Sequence, residues 1–198
     1  MKQPSEKQLH PFRVWDAADE DYYCGFIDGD GNVVIPAKYE IAHDFSEGLA
    51  CVAELGWDEG YKFINTSGEV VISLDANVCV YDDFHEGLCM VSVDGKCGFI
   101  DRTGEMAIPP QFDGADSFDH GVAPVRIGER EANDNWGFID HTGKFIVQPK
   151  YRLAEWPEYW CTKDGLLRLL DGDETYYFDL AGKQIWPKSP AEKIVAVQ

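Results

Sequence analysis

One five-residue segment returns five times along this chain, and that recurrence limits the fold more than any other property. Cys24-Gly25-Phe26-Ile27-Asp28 reappears as Tyr61-Lys62-Phe63-Ile64-Asn65, Cys97-Gly98-Phe99-Ile100-Asp101 and Trp136-Gly137-Phe138-Ile139-Asp140. A more divergent copy is Thr175-Tyr176-Tyr177-Phe178-Asp179. The copies follow one another at intervals of roughly 36 to 39 residues, a period that belongs to repeat architectures. A unit of that size cannot bury its own apolar faces. Its neighbours must cover them, and the end units must differ from the middle ones.

Each copy sits in a longer pattern. A glycine follows three residues after the Asp or Asn (Gly31, Gly68, Gly104, Gly143, Gly182). An apolar run comes next, such as Val33-Val34-Ile35-Pro36 or Met106-Ala107-Ile108-Pro109, closed by an aromatic at Tyr39, Phe112 or Tyr151. Ahead of the core segment lie Gly48-Leu49-Ala50-Cys51-Val52, Gly87-Leu88-Cys89-Met90-Val91, Gly121-Val122-Ala123-Pro124-Val125 and Gly165-Leu166-Leu167-Arg168-Leu169. Phe12 to Trp15 supply the same run for the first copy. Three short β-prone runs bounded by turn residues predict a meander, with strands c, a and b in chain order. Val93-Asp94-Gly95-Lys96 carries the Asp-Gly signal of a two-residue hairpin between c and a. Strand a has apolar residues on both faces, as a central strand should, and its glycine leaves room for a neighbour.

The fold expected is therefore all-β: five three-stranded units at roughly 11–39, 48–74, 87–112, 121–151 and 165–187, within one domain spanning 1–198, with a tail at 188–198. A curved open array is the favoured arrangement, and a small propeller-like ring is the alternative. Ile194 to Val197 could add a strand to the first unit.

Composition narrows function by exclusion. Thirty-six Asp and Glu face 17 Lys and Arg, a formal net charge of −19, which repels phosphate backbones and anionic membranes. No direct nucleic-acid or membrane binding is expected. The N-terminal residues lack the apolar stretch of a secretory leader, so a cytoplasmic location is expected, with secretion without such a leader as the alternative. The six cysteines show no C-x-x-C pairing and read as packed thiols.

Catalytic and metal-binding signatures are weak. Asp28-Gly29-Asp30-Gly31-Asn32 resembles the opening of a calcium loop, but position twelve is Tyr39 where a bidentate Glu is required. His10, His43, His85, His120 and His141 form no i, i+2 or i, i+4 pair, and neither a nucleophile elbow nor a phosphate loop occurs. The expectation is a non-enzyme with no catalytic residue, cofactor or metal.

Trp136-Gly137-Phe138-Ile139-Asp140 followed by Gly143-Lys144, and preceded by Phe118 and Gly121-Val122-Ala123-x-Val125, resembles the WG repeat of bacterial proteins. The resemblance covers about residues 12 to 187. It implies a binding or scaffolding repeat with no established catalytic role. The Trp-Gly pair itself is intact only at Trp136-Gly137, and Lys62 stands where glycine is expected.

In a stack of such units the loops between strands c and a should share one rim, and this rim is acidic. It would carry Asp16, Asp19, Glu20 and Asp21, then Glu54, Asp58 and Glu59 beside Trp57, then Asp94, then Glu129, Glu131 and Asp134, then Asp171, Asp173 and Glu174. Variable loops on a regular scaffold are where binding usually resides. Trp156, Tyr159 and Trp160, in a stretch that breaks the register, are candidate aromatic anchors for a partner, or else a cap on the last unit's core. The expected function is engagement of a basic protein partner, in a bacterial effector, immunity or stress-response setting. A carbohydrate or cell-wall binder and a hydrolase with a carboxylate pair are the alternatives.

Overall fold

The computed structural model describes residues 8–54, 60–128, 135–153, 160–161 and 164–187. Among these, every regular element is a β-strand, and the strands pair antiparallel. The first sheet runs β1 (His10–Asp16), β2 (Asp21–Ile27), β3 (Val33–Tyr39). The second runs β4 (Ile41–Ala42), β5 (Leu49–Ala53), β6 (Lys62–Asn65), β7 (Val70–Ser73). The third contains β8 (Val78–His85), β9 (Leu88–Val93), β10 (Lys96–Asp101) and β11 (Met106–Phe112) in the same order.

The remaining strands form one seven-stranded meander: β12 (Gly114–Ala115), β13 (Val122–Arg126), β14 (Trp136–Asp140), β15 (Phe145–Leu153), β16 (Leu167–Asp171), β17 (Glu174–Phe178) and β18 (Gln184–Trp186). It joins two units because β15 serves both. Its first part pairs with β14, and Arg152 and Leu153 pair with β16. None of these sheets closes into a barrel.

Every expected c-a-b meander is present, including β1 as strand c of the first unit. From the second unit on, a lead strand adds to it: β4, β8 and β12 each pair with the strand c that follows, and the end of β15 does so for the fifth. Two of these lead strands have only two residues, too short to show a period. The chain divides into two compact units, Met1–Pro110 and Gln111–Gln198. The proposed strand at Ile194 to Val197 lies outside the described residues.

Within the first compact unit, side-chain alternation on each strand decides what packs where. Leu49, Cys51, Phe63 and Ile72 join Val80, Phe84, Val91 and Ile100 of the third sheet in one core. Their alternate neighbours Ala50, Val52 and Ile64 join Phe26, Ile35 and Tyr39 of the first sheet in another. The second sheet is thus buried on both faces, and Phe26 and Phe63 of strand a point to the sheet that follows while Ile64 and Ile100 point to the one before. A ring from the next repeat caps each of these Phe side chains: Phe45 on Phe26 and Phe84 on Phe63, both at 4.9 Å edge to face. In the second compact unit Trp160 takes that place on Phe138, with centroids 5.4 Å apart. Among the described residues no sheet precedes the first, and Ile27 is half-buried where Ile64, Ile100 and Ile139 are buried completely.

The turn after strand a is built the same way five times. The side-chain oxygen of Asp28 accepts the N–H groups of Asp30 and Asn32, and Asn65 accepts those of Ser67 and Glu69. Asp101, Asp140 and Asp179 repeat the pair at the same two offsets. This is why the repeat ends in Asp or Asn, and it gives the carboxylate of the calcium-like segment a turn-forming role. The turn into strand c is a two-residue hairpin with positive φ at both positions: Glu47-Gly48, Glu86-Gly87 and His120-Gly121.

The pairing of strands a and b differs between repeats. In the first and fourth, the register slips by two residues across Gly25 and Gly137, so that Cys24 faces Tyr39 while Phe26 faces Ile35, and Trp136 faces Tyr151 while Phe138 faces Val147. In the second, Lys62 faces Ser73 and Phe63 faces Ile72 with no slip at that position.

Candidate functional site

The surface that departs most from the repeat is the tip of the β1–β2 hairpin. Strand c of the second and fourth repeats is buried along nearly all its length, at Leu49–Ala53 and Val122–Arg126. β1 follows the buried Leu9, is half-buried only at Pro11 and Phe12, and then runs out with β2 into solvent. Seven residues pair on each strand, from His10 with Ile27 to Asp16 with Asp21. Trp15 and Tyr22 face each other near the outer end, 52% and 43% exposed, with ring centroids 4.9 Å apart and edge to face. The Arg13 guanidinium lies 4.1 Å from the Tyr22 ring centroid on the same face. Such a pair is held by its own stacking rather than by a core.

Four carboxylates lie at the same hairpin tip. Asp16, Asp19 and Glu20 are exposed and Asp21 is half-buried. Asp16 accepts the Ala18 N–H at 2.7 Å, fixing the turn, and Glu20 stands at φ 53°. The Tyr23 hydroxyl donates to Asp19 at 3.0 Å. Desolvation, then that hydrogen bond, then the charges of Asp19, Asp21 and Asp16 push the Tyr23 phenol above its ordinary value. The tip therefore combines flat apolar area, negative charge and hydrogen-bond acceptors. That combination suits a basic segment, whose cations can pair with the carboxylates and whose aliphatic stems can lie against the exposed rings.

The other sequence-derived candidates fare differently. Glu54 lies 3.5 Å from the Lys62 ammonium and 4.0 Å from that of Lys38, so its charge is answered within the chain. Trp160 is only 6% exposed and packs with Phe138, Leu167, Leu169 and Phe178. The anchor reading of Trp160 is corrected to core: its ring fills the slot that Phe45 and Phe84 fill in earlier repeats. Trp57, Asp58, Glu59, Glu129, Glu131, Asp134, Trp156 and Tyr159 lie outside the described residues. Asp94, Asp171, Asp173 and Glu174 are exposed at their own c–a turns. In the sequence Trp15 is legible as the end of a strand run, and Tyr22 carries no signal. The β1–β2 register is what brings them together.

Two further constellations have defined geometry. His43 Nδ1 meets the Asp83 carboxylate at 3.3 Å in the first compact unit. That hydrogen bond raises the His43 pKa, desolvation opposes it, and the charges of Asp83, Asp82 and Asp44 add to it. In the second, His120 Nδ1 lies 2.8 Å from Asp119 Oδ1 and 3.8 Å from Cys161 Sγ. Burial, and then the Asp119 charge, push the Cys161 thiol upward. Cys51 and Cys89 are buried thiols. Burial raises Cys51 to about 12 and Cys89 further still, which suits packing and not nucleophilic chemistry.

A hollow lined by Ile41, Ala53, Tyr61, Ala76 and Cys79 holds about 80 Å³, well short of the roughly 300–1,000 Å³ of a small-molecule pocket. Among the described residues no helix is long and apolar enough to cross a membrane.

A comparison with curated proteins finds no match. Compared with protein families, the chain matches the WG containing repeat over residues 25–56, 63–97, 98–130 and 136–155. The first three segments carry strands a and b with the strand c that follows, and the fourth carries strands a and b. The chain belongs to the WG containing repeat family.

Proposed function

We propose that this WG repeat protein is a non-catalytic scaffold that engages a basic protein partner, and that the β1–β2 tip is a principal contact. The observation that carries this reading is the exposed Trp15–Tyr22 pair on a hairpin tip that also carries Asp16, Asp19, Glu20 and Asp21. Aromatic residues with few rotamers to lose are the usual anchors of interfaces, and the carboxylates around them supply steering and charge-assisted hydrogen bonds. The repeat family supports a binding or scaffold role. The effector, immunity or stress-response setting and a cytoplasmic location belong to the same proposal. The remaining acidic c–a turns extend the surface along the rim.

The test is a fluorescence titration of a Lys/Arg-rich peptide against the native chain and a Trp15→Ala, Tyr22→Ala double variant. The expected result is saturable binding that weakens by about tenfold or more in the variant, as for an aromatic hot spot. Equal affinity for both proteins would remove the tip from the interface.

A further inference from the structure

The turns that enter strand c form a second recurring structure, and their chemistry changes along the chain. Each is preceded by an aromatic residue: Phe45-Ser46-Glu47-Gly48, Phe84-His85-Glu86-Gly87, Phe118-Asp119-His120-Gly121 and Trp160-Cys161. The pairing confirms the equivalence. Ser46 bridges to Leu49, Asp119 to Val122 and Cys161 to Leu167, each just ahead of or at the start of strand c.

Stacking places consecutive turns in contact. In the first compact unit this contact is an ordinary polar lock: the Ser46 hydroxyl donates to the Phe84 carbonyl at 2.6 Å, and the Glu47 carboxylate accepts the Gly87 N–H at 3.1 Å. In the second compact unit the same juxtaposition brings together a carboxylate, an imidazole and a thiol. Asp119 Oδ1, His120 Nδ1 and Cys161 Sγ all lie within 4.8 Å of one another.

The geometry points to a binding site for a zinc-class divalent cation formed by Asp119, His120 and Cys161, clamping the turn of the fourth repeat to that of the fifth. Zinc takes thiolate sulfur at about 2.3 Å and imidazole nitrogen or carboxylate oxygen at about 2.0–2.2 Å, so ligand atoms of a tetrahedral site lie roughly 3.2–3.8 Å apart. The Cys161–His120 separation of 3.8 Å is already in that range. The His120–Asp119 contact of 2.8 Å needs to open by a few tenths of an ångström, which exposed side chains on a turn can supply.

A sulfur–nitrogen–oxygen set selects borderline-soft ions over calcium and magnesium, which prefer all-oxygen shells. Three protein ligands leave a fourth position, on the solvent side where Asp119 and His120 are exposed. Binding would release the Cys161 thiol proton to solvent and leave the imidazole proton on Nε2, so that Nδ1 can donate its lone pair to the metal. The ligands come from two repeats, and occupancy should therefore hold the repeats together.

Cobalt(II) reports the site directly, because thiolate ligation gives a near-ultraviolet charge-transfer band and tetrahedral geometry gives intense visible bands. The full chain, kept reduced, is titrated with cobalt chloride and then with zinc chloride. Both band sets should appear at one equivalent and be displaced by zinc, and zinc should raise the thermal midpoint by several degrees. Cys161→Ser should abolish the charge-transfer band. His120→Asn should weaken cobalt binding by more than about tenfold through loss of one of three protein ligands, and it preserves the fold because Asn accepts positive φ. Cys79→Ser, which changes the exposed thiol elsewhere, should leave the spectrum unchanged. Absence of the bands in the native chain, their persistence in Cys161→Ser, or unaltered affinity in His120→Asn overturns the site and leaves a simple ion pair beside a thiol.

Discussion

The second repeat and the fourth perform the same packing with different strand-a residues, and the difference shows what the glycine of the Trp-Gly pair is for. In the fourth, a Cβ on Gly137 would lie 2.4 Å from the Val147 carbonyl oxygen and 2.8 Å from the Pro149 nitrogen. Gly25 and Gly98 meet the backbone of their own strand b just as closely, at 2.5 and 2.6 Å. In all three the partner strand carries proline and returns an aromatic, Tyr39, Phe112 or Tyr151, to the core, and in the first and fourth it bulges opposite the glycine. The bulge pushes backbone into the space a side chain would occupy.

In the second repeat the partner strand reads Ile72-Ser73-Leu74, with no proline. It pairs with Lys62 in straight register, and Leu74 donates its N–H to the Tyr61 carbonyl. Lys62 has room there, and it reaches Glu54. The glycine is therefore required by the bulge opposite it rather than by strand a itself.

That reading is exposed to breakage. Gly137→Ala should be the most damaging change, costing about 3 kcal/mol, because the atoms in the way are backbone and cannot rotate aside. Urea denaturation checks it, and a loss below about 1 kcal/mol would mean that the bulge yields easily. The converse change, Lys62→Gly, should cost only about 1 kcal/mol, from added chain entropy and the lost pair with Glu54. A stabilised Lys62→Gly protein would show that glycine is favoured at this position regardless of the bulge.

The smallest effect separates the repeats by pH. Hydrogen bonds from Thr103 and Thr142 hold Asp101 and Asp140 below the ordinary carboxylate range, whereas the second repeat uses Asn65, which does not titrate. A depressed carboxylate adds stability that is complete above its unfolded pKa and is lost as pH falls through the folded one. The double variant Asp101→Asn, Asp140→Asn should therefore flatten the fall in thermal midpoint below about pH 4 and leave the midpoint near neutrality almost unchanged. A slope identical to that of the native chain would assign the acid sensitivity to other groups.

What the sequence discloses follows from what recurs. Strands c, a and b are legible because Gly-Phe-Ile-Asp and its flanking glycines return in register, and turn chemistry repeats with them. The lead strands Ile41–Ala42 and Gly114–Ala115 are too short to carry a pattern. They form because stacking delivers the chain alongside the next strand c. For Trp160 the sequence leaves anchor and core cap both open, because the broken register around it hides its equivalence to Phe45 and Phe84, and its burial selects the cap. The acidity of the first c–a turn is visible in the sequence. The Trp15–Tyr22 pair is not, since it depends on a register that only the extended hairpin sets. His120 and Cys161 stand 41 residues apart and meet only because successive turns stack.

The most direct test of the binding reading is the association rate of a Lys/Arg-rich peptide, measured by stopped flow as ionic strength rises. Neutralising Asp16, Asp19 and Glu20 to the corresponding amides is compared with neutralising Asp30, Glu69 and Glu105, three exposed acids on the a–b turns at the opposite ends of their strands. The hairpin-tip variant should associate about tenfold more slowly at low salt, while the a–b turn variant stays close to the native rate. Both differences should vanish near 1 M salt, where the screening length is about 3 Å. Equal slowing by the two sets of substitutions would contradict the account, because the acidic tip would then be no more than part of a uniformly charged surface.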